Sequence, residues 1–357
     1  MLEDVLPLLL DKKRFLITTH VRPDGDAIGS QLALGLFLEK LGKQVAMINT
    51  DPLPANLDWM PGVEAIEVFG GALAQHEYIG GADVIVVVDT NTLDRLGRKM
   101  GGPVKNSGAL KILIDHHTEP ESWFDHTFAR DTASSTGELI HELITAYDPA
   151  LIDEPIATAL YVAILTDTGS FRYSSVTPAV HRVVADLLER GSMTPAAVYA
   201  ALYEVRSPHW VRLLALVLDT LTVRFDGLLS YLVVSRRVLK ETGATNEDTE
   251  GFVGYGLAIE GVRVALIFTE TPGGTKVSFR SKGDQHVHEW ARAFGGGGHR
   301  NASGAYFKRP LDEVIDIVLA SAPRWLGLSE ADQEAGGDLS PEDEAYLSTL
   351  LDMKSQR

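Results

Sequence analysis

The chain has 357 residues, 49 of them Asp or Glu against 32 Lys or Arg, a formal net charge of −17, and no cysteine. That length is long for one core and predicts two domains, while 45% hydrophobic and 23% charged residues exclude a disordered chain. Without cysteine there are no disulfides or thiolate metal sites, and the surplus acid argues against a protein that slides along duplex nucleic acid, since neutralising phosphates drives that binding.

If the substrate is anionic, positive charge must be concentrated locally, in bound metal ions or a small arginine cluster. Most of the carboxylates are read more simply, as a solubilising surface. No apolar run approaches the roughly 20 residues of a membrane span. The N-terminal "MLEDVLPLLLDKKR" reads as an amphipathic first helix rather than a signal peptide. A soluble, cytoplasmic protein is expected.

In chain order, "RFLITTH" predicts a strand and "AIGSQLALGLFLEKLG" an amphipathic helix stopped by Gly42; "QVAMIN", "DVIVVVDT" and "LKILIDHH" predict three more strands. Continuous Val/Ile/Leu runs separated by helices indicate a parallel sheet buried on both faces. "STGELIHELITAY", "EPIATALYVAILTDTG" and "TPAVHRVVADLLERG" follow as helices, the last capped by Thr177. The sheet pattern stops between Gly191 and Pro208, where a linker over residues 191–209 is expected, leaving a first domain over 1–190. A second domain over 210–327 opens with the helix "WVRLLALVLDTL" and carries strands "LLSYLVVS", "RVALIFTE" and "TKVSFRS", the last two joined by "TPGG" as an antiparallel pair. An acidic extension over 328–357 includes a capped helix from Ser340, whose apolar face (Tyr346, Leu347, Leu350, Leu351) would dock on this chain or another, leaving a homodimer open.

The candidate chemistry lies at segment ends. His20 ends the first strand and Asp24 and Asp26 follow it; Asp89 ends "VIVVVD"; Asp115, His116 and His117 end "ILIDHH"; Asp167 ends "ALYVAILTD". Each has a simpler reading: "PDG" as a turn, Asp26 and Asp89 as helix caps, paired histidines as polar loop residues, Asp167 as a turn former. In an open α/β sheet, however, ligands bind beyond the carboxyl ends of the strands, so four segments deliver Asp or His to one edge. Carboxylates converging there would repel one another unless cations sat between them. A His and carboxylate set without thiolate suits Mn²⁺, Mg²⁺ or Co²⁺. There are more candidate ligands than one ion needs, so two ions sharing bridging carboxylates is the economical arrangement.

"HVRPDGDAIGS", "VVVDT", "LIDHH" and "LTDTGSF" resemble, in order, the four motifs of the DHH phosphoesterase superfamily, and "SFRS" and "GGGGHRNASGA" resemble the DHHA1 domain that follows in one branch. The resemblance spans about residues 10–310; size and "ASSTGELI" look most like the NrnA-type nanoRNases, which are also 3′-phosphoadenosine-5′-phosphate (pAp) phosphatases. It implies an α/β fold in which a DHH domain, a parallel sheet flanked by helices, faces a smaller α/β DHHA1 domain across a catalytic cleft. It also implies two Mn²⁺ per chain, with Co²⁺ or Mg²⁺ as substitutes. His20, Asp24, Asp89 and Asp167 would hold one ion and Asp26, Asp89, His116 and Asp167 the other, so that Asp89 and Asp167 bridge. A water between the ions would lose a proton and attack phosphorus in line. His117 would contact the phosphoryl oxygen or protonate the leaving group, and Asp115 would orient a ligand histidine.

In the second domain, Gly296, Gly297 and Gly298 before His299 read either as a hinge or as a backbone cradle for phosphate. Arg280 would clamp a phosphate bidentately, although a lone arginine is more often a surface ion pair. Ser281, Arg300 and Ser303 are lesser candidates, and Ser135 is either a helix cap or a substrate contact. The expected function is release of mononucleotides from very short RNA, including linear dinucleotides such as pApA, with pAp phosphatase activity. Cyclic-dinucleotide phosphodiesterase, inorganic pyrophosphatase, single-strand DNA exonuclease and a non-catalytic nucleotide sensor are the competing readings. Expected partners are short RNA and pAp, with no long duplex and no membrane.

Overall fold

The computed structural model describes residues 2–328, so the helix expected from Ser340 lies outside the described residues. The chain divides into two units between Val205 and Arg206. No described helix is long and apolar enough to cross a membrane.

The first unit is built on β1 (Arg14–Thr18), β2 (Gln44–Asn49), β3 (Ile66–Val68), β4 (Val84–Val88), β5 (Leu110–Asp115) and β6 (His126–Ala129). Every neighbouring pair is parallel, in the order β3-β2-β1-β4-β5-β6. Helices α1 (Leu2–Asp11), α2 (Gly25–Lys40), α3 (Leu73–Gly81), α4 (Gly97–Asn106), α5 (Thr136–Tyr147), α6 (Glu154–Asp167), α7 (Pro178–Gly191) and α8 (Pro195–Tyr203) complete it. Side chains alternate across the strands: Phe15, Ile17, Val84, Val86, Ile112 and Ile114 join one core with α2, α5 and α6, while Leu16, Ile85, Val87 and Leu113 join Ile79, Met100 and Val104 of α3 and α4 in another. Burial on both faces is why these strands read as unbroken apolar runs.

Two elements differ from expectation. The amphipathic pattern expected of α2 is not realised: it is buried from Gly25 to Gly35, because the sheet covers one side and α6 the other. Gly29 permits that approach, since a Cβ there would lie 2.3 Å from the Ala159 carbonyl oxygen of α6. The 191–209 stretch carries α8, whose Val198 and Leu202 are buried in the first unit's core, and the division at Val205 falls just beyond it.

The second unit contains β7 (Thr222–Arg224), β8 (Leu229–Val234), β9 (Val264–Thr271), β10 (Gly274–Ser281), β11 (Gly297–His299) and β12 (Ala302–Phe307) in the order β11-β12-β10-β9-β8-β7. It also has α9 (Pro208–Leu218), α10 (Arg236–Thr242), α11 (Val253–Leu257), α12 (His288–Ala293) and α13 (Leu311–Leu326). Only β8 and β9 run parallel in this sheet, and β9 and β10 form the hairpin expected around "TPGG". Trp290 of α12 and Val314, Ile317 and Val318 of α13 cover Leu266, Phe268, Val277 and Phe279 on one face. Leu213 and Val217 of α9 cover Leu232, Val234 and Ile267 on the other.

Candidate metal centre

The first sheet reverses its winding between the adjacent parallel strands β1 and β4, the point at which α/β sheets open a ligand crevice. β1 ends at Thr18, so His20 lies two residues beyond the strand, while Asp89 directly follows β4. Thr19 Oγ1 ties these ends by donating to the Val88 carbonyl at 2.9 Å. Asp115 is the last residue of β5, with His116 and His117 after it. Close contact of α2 with α6 supplies the rest: a Cβ on Gly25 would meet the Thr166 side chain at 2.5 Å, so Asp24 and Asp26 at the start of α2 stand by Asp167 at the end of α6.

Three groups of candidate ligand atoms result, each within 4.8 Å: His20, Asp24 and Asp89; Asp26, His116 and Asp167; and Asp89, His116 and His117. Asp89 turns one oxygen each way, with Oδ2 3.3 Å from His20 Nε2 and Oδ1 3.6 Å from His116 Nε2. Asp167 Oδ2 lies 3.3 Å from His116 Nε2. Of the two aspartates expected to bridge, Asp89 joins both sides, whereas Asp167 is grouped with Asp26 and His116 rather than with His20 and Asp24.

Each group is held from behind. Asp24 caps α2, its Oδ1 accepting from the Asp26 and Ala27 N–H groups at 3.1 Å. Asp26 accepts from the Thr136 and Gly137 N–H groups at 2.7 and 2.9 Å and from Ser30 Oγ at 3.1 Å, so the N-terminus of α5 fixes this carboxylate. Thr136 Oγ1 donates to Asp89 Oδ1 at 3.1 Å. Asp89 itself has φ of +58°, an uncommon conformation for a non-glycine residue that Asp tolerates better than most. His20 Nδ1 donates to the Val21 carbonyl at 2.9 Å, and His117 Nδ1 to Asp115 Oδ1 at 2.7 Å.

Burial, and then Asp26, Asp24 and their neighbours, push Asp89 well above the usual carboxylate range. Burial also raises Asp26, and burial and Asp26 bring Asp167 to about 7. Burial opposes charge on His116, but Asp26, Asp167 and Asp115 outweigh it and hold that histidine above its ordinary value. Burial pushes His20 and His117 down. Burial would raise Asp115, but its hydrogen bond from His117 outweighs that and holds it low.

This donor set fits divalent cations. His20 Nε2 is buried without a hydrogen-bond partner among the described residues. Because Nδ1 carries the proton given to Val21, Nε2 presents a lone pair toward the oxygens of Asp89 and Asp24, whose own lone pairs would face it once both are ionised. A cation between them satisfies both.

Residues 14–164 match the N-terminal domain of the DHH family and residues 229–327 match the DHHA1 domain. A curated relative from Thermus thermophilus, named bifunctional oligoribonuclease and PAP phosphatase NrnA, is 36% identical over 306 residues, 85% of this chain and 87% of its own. The chain belongs to the DHH phosphoesterase family. A Bacillus subtilis protein of the same name is 27% identical to this DHH phosphoesterase over 290 residues, 80% of this chain and 87% of its own. A solved structure described as an exopolyphosphatase-related protein from Bacteroides fragilis superposes with a TM-score of 0.85 at 30% identity, covering 98% of this chain and 97% of that one. DHH phosphoesterases are metal-dependent hydrolases, in keeping with the ligand groups here.

The expected substrate residues of this DHH phosphoesterase divide. The backbones of Arg280 and His299 both pair with Ala302, on one rung across β10, β12 and β11. Arg280 Nη1 donates to the Phe279 carbonyl at 3.0 Å. Ser281 accepts from Asn301 Nδ2 at 2.9 Å. The glycine run is no hinge, since Gly297–His299 form β11 and close packing demands the glycines: a Cβ on Gly296 would lie 2.1 Å from the Gly304 oxygen, and one on Gly298 2.5 Å from that of Ala302. Ser135 is fully buried and accepts from Glu138 N–H at 3.1 Å as the N-cap of α5. Sequence reading missed the role of Thr136 and Gly137 in holding Asp26; the available signal was the cap "SSTGE", which reads equally well as ordinary capping.

Proposed function

We propose that this phosphoesterase is a Mn²⁺-dependent, cytoplasmic oligoribonuclease that cleaves very short RNA, including pApA, to mononucleotides and also removes phosphate from pAp. Asp89 reaching into two His–carboxylate groups carries this reading, and relatives named for both activities support it. Two ions would be held by His20, Asp24 and Asp89 on one side and by Asp26, His116, Asp167 and Asp89 on the other. Divalent cations bound there supply Lewis acidity, which acidifies water and withdraws charge from a phosphoryl oxygen.

The protein's own residues then divide the work. Asp115 fixes the His117 ring through Nδ1, leaving the Nε2 lone pair to take up the proton released by the attacking water and pass it on to the departing oxygen. The α5 N-terminus keeps Asp26 in one orientation, and Thr136 does the same for Asp89. Arg280, Ser281, His299 and the N–H groups of Gly296, Gly297 and Gly298 are assigned to substrate phosphate, with Arg280 as the principal charge.

Length selection follows from charge. At −17 overall, phosphates beyond the site meet a repulsive surface, and with a Debye length of about 8 Å at physiological salt a substrate of about 2–5 nucleotides gains most. The test incubates protein and Mn²⁺ with pAp, pApA, an RNA pentamer, an RNA of about 24 nucleotides and pyrophosphate, at low salt and at salt high enough to shrink that length to about 3 Å. Rates should be highest on pAp and the shortest RNAs, with the gap to the long RNA narrowing in salt. Equal rates on long and short RNA at low salt would favour a processive exonuclease instead.

A further inference from the structure

Beyond Asp167 the chain turns in a conformation that L-residues avoid. Gly169, Ser170 and Phe171 have φ of +56°, +61° and +64°, three left-handed residues in succession, and for a bulky residue such as Phe171 that is a true outlier. The turn is tied down by Gly169 N–H to the Thr166 oxygen at 3.1 Å, Ser170 N–H to that of Leu165 at 2.8 Å and Tyr173 N–H to that of Thr168 at 3.1 Å. It throws Phe171 inward, where its ring meets Tyr161 at 6.3 Å and His181 at 5.6 Å.

The same reversal lays Tyr173 back over the turn. A Cβ added to Gly169 would lie 2.5 Å from Tyr173 Cζ, so the ring rests directly on that glycine, two residues from a candidate metal ligand. Its other side is open, leaving Tyr173 57% exposed. Arg172 Nε donates to the Gly169 carbonyl at 2.6 Å, which keeps an exposed cation beside the ring. Tyr199 and Tyr203 lie nearby in the same unit with ring centroids 4.8 Å apart, and the Tyr203 hydroxyl is hydrogen-bonded to Ser170 of the turn. Core packing explains Phe171 but not an anchored, open ring with a guanidinium next to it. Strain held beside a reaction centre is a reason to look for function.

We propose that Tyr173 is a stacking platform for one nucleobase of the substrate, with Arg172 beside it to meet the adjoining phosphate. Aromatic rings hold any base through its π-face without reading its identity. The platform selects nucleotide substrates over inorganic phosphate chains, which offer nothing to stack. This inference rests on the oligoribonuclease reading above.

The test compares wild type, Tyr173→Ala and Tyr173→Phe on pApA and on the two derivatives of pApA that each lack one adenine, with Mn²⁺ content measured for every protein. Tyr173→Ala should lower kcat/KM for pApA about tenfold, while Tyr173→Phe stays near wild type because the ring is kept. That loss should disappear for the derivative lacking the stacked base, and metal content should be unchanged. An equal loss on all three substrates would make Tyr173 a prop for Asp167 and overturn the proposal. No loss, or a changed sedimentation coefficient without changed selectivity, would overturn it too. A wild type inactive on pApA but active on pyrophosphate would instead refute the oligoribonuclease reading.

Discussion

Replacing Asp167 with Asn should make the metal-free protein more stable, while weakening the stabilisation that Mn²⁺ confers. In the absence of cations, Asp167 stands among Asp26, Asp24 and Asp115, and burial and these like charges raise its carboxyl from 3.8 to about 7. A folded-state pKa above the unfolded one means that the folded form binds the proton more tightly. The penalty is therefore nil below about pH 3.8, grows as pH rises, and is complete above about pH 7. A shift of roughly three units corresponds to about 4 kcal/mol at most. A third of the side chain is exposed, and solvent screening reduces the recoverable part to about 1–2 kcal/mol. For a unit of this size that is a rise in Tm of about 2–8 °C. The measurement is calorimetry of EDTA-treated wild type and Asp167→Asn near pH 4 and near pH 8, repeated with Mn²⁺ at the higher pH. The melting temperatures should coincide at low pH, separate in favour of the variant at high pH, and reverse order with Mn²⁺. An EDTA-treated variant less stable than wild type near pH 8 would refute the claim that like charge dominates this cluster.

Asp89→Ala should abolish Mn²⁺-dependent hydrolysis, since both ligand groups lose a member; in the metal-free protein the strain of alanine at a φ of +58° opposes the relief of removing a buried carboxyl among like charges, so its melting temperature should rise less than that of Asp167→Asn. Activity kinetics and melting curves check the two effects separately, and residual turnover near wild type would contradict the shared-ligand arrangement. Arg280→Ala and His299→Ala should raise KM, consistent with loss of about 1.5–3 kcal/mol for a charge-assisted contact, with elemental analysis showing unchanged metal; metal loss would show that the second unit has been misassigned. Gly29→Ala drives a methyl group against the Ala159 carbonyl at 2.3 Å and should cost about 1–3 kcal/mol by overpacking. It should weaken Mn²⁺ affinity as α2 moves off α6, and titration calorimetry giving a wild-type affinity would show that this contact does not set the ligand spacing.

Much of the site was legible because its chemistry is carried at the ends of strongly apolar elements. β2 coincides with "QVAMIN", and the cores of β1, β4 and β5 fall within their Val/Ile/Leu runs. β3 and β6 were not legible, because "IEV" and "HTFA" are short, mixed in polarity and lie at the edges of the sheet, where pairing decides the conformation. α2 was found but its environment misread, since nothing local announces that α6 will cover its second face. Asp24, Asp26 and Asp167 converge through that tertiary contact, not through any spacing in the chain. The glycines before His299 advertised freedom; in the fold, Gly296 and Gly298 are constrained by the strand beside them.

Both sheets also taper toward their margins. The outermost strands are β3, β6, β7 and β11, of three, four, three and three residues, and they carry Glu67, His126 and Arg224 or are largely glycine. Strands this short and this polar make poor templates for a further chain. An acidic protein that must stay dispersed thus has two six-stranded sheets whose described borders resist fibril-like growth, and its self-association in solution would have to proceed through helical or loop surfaces.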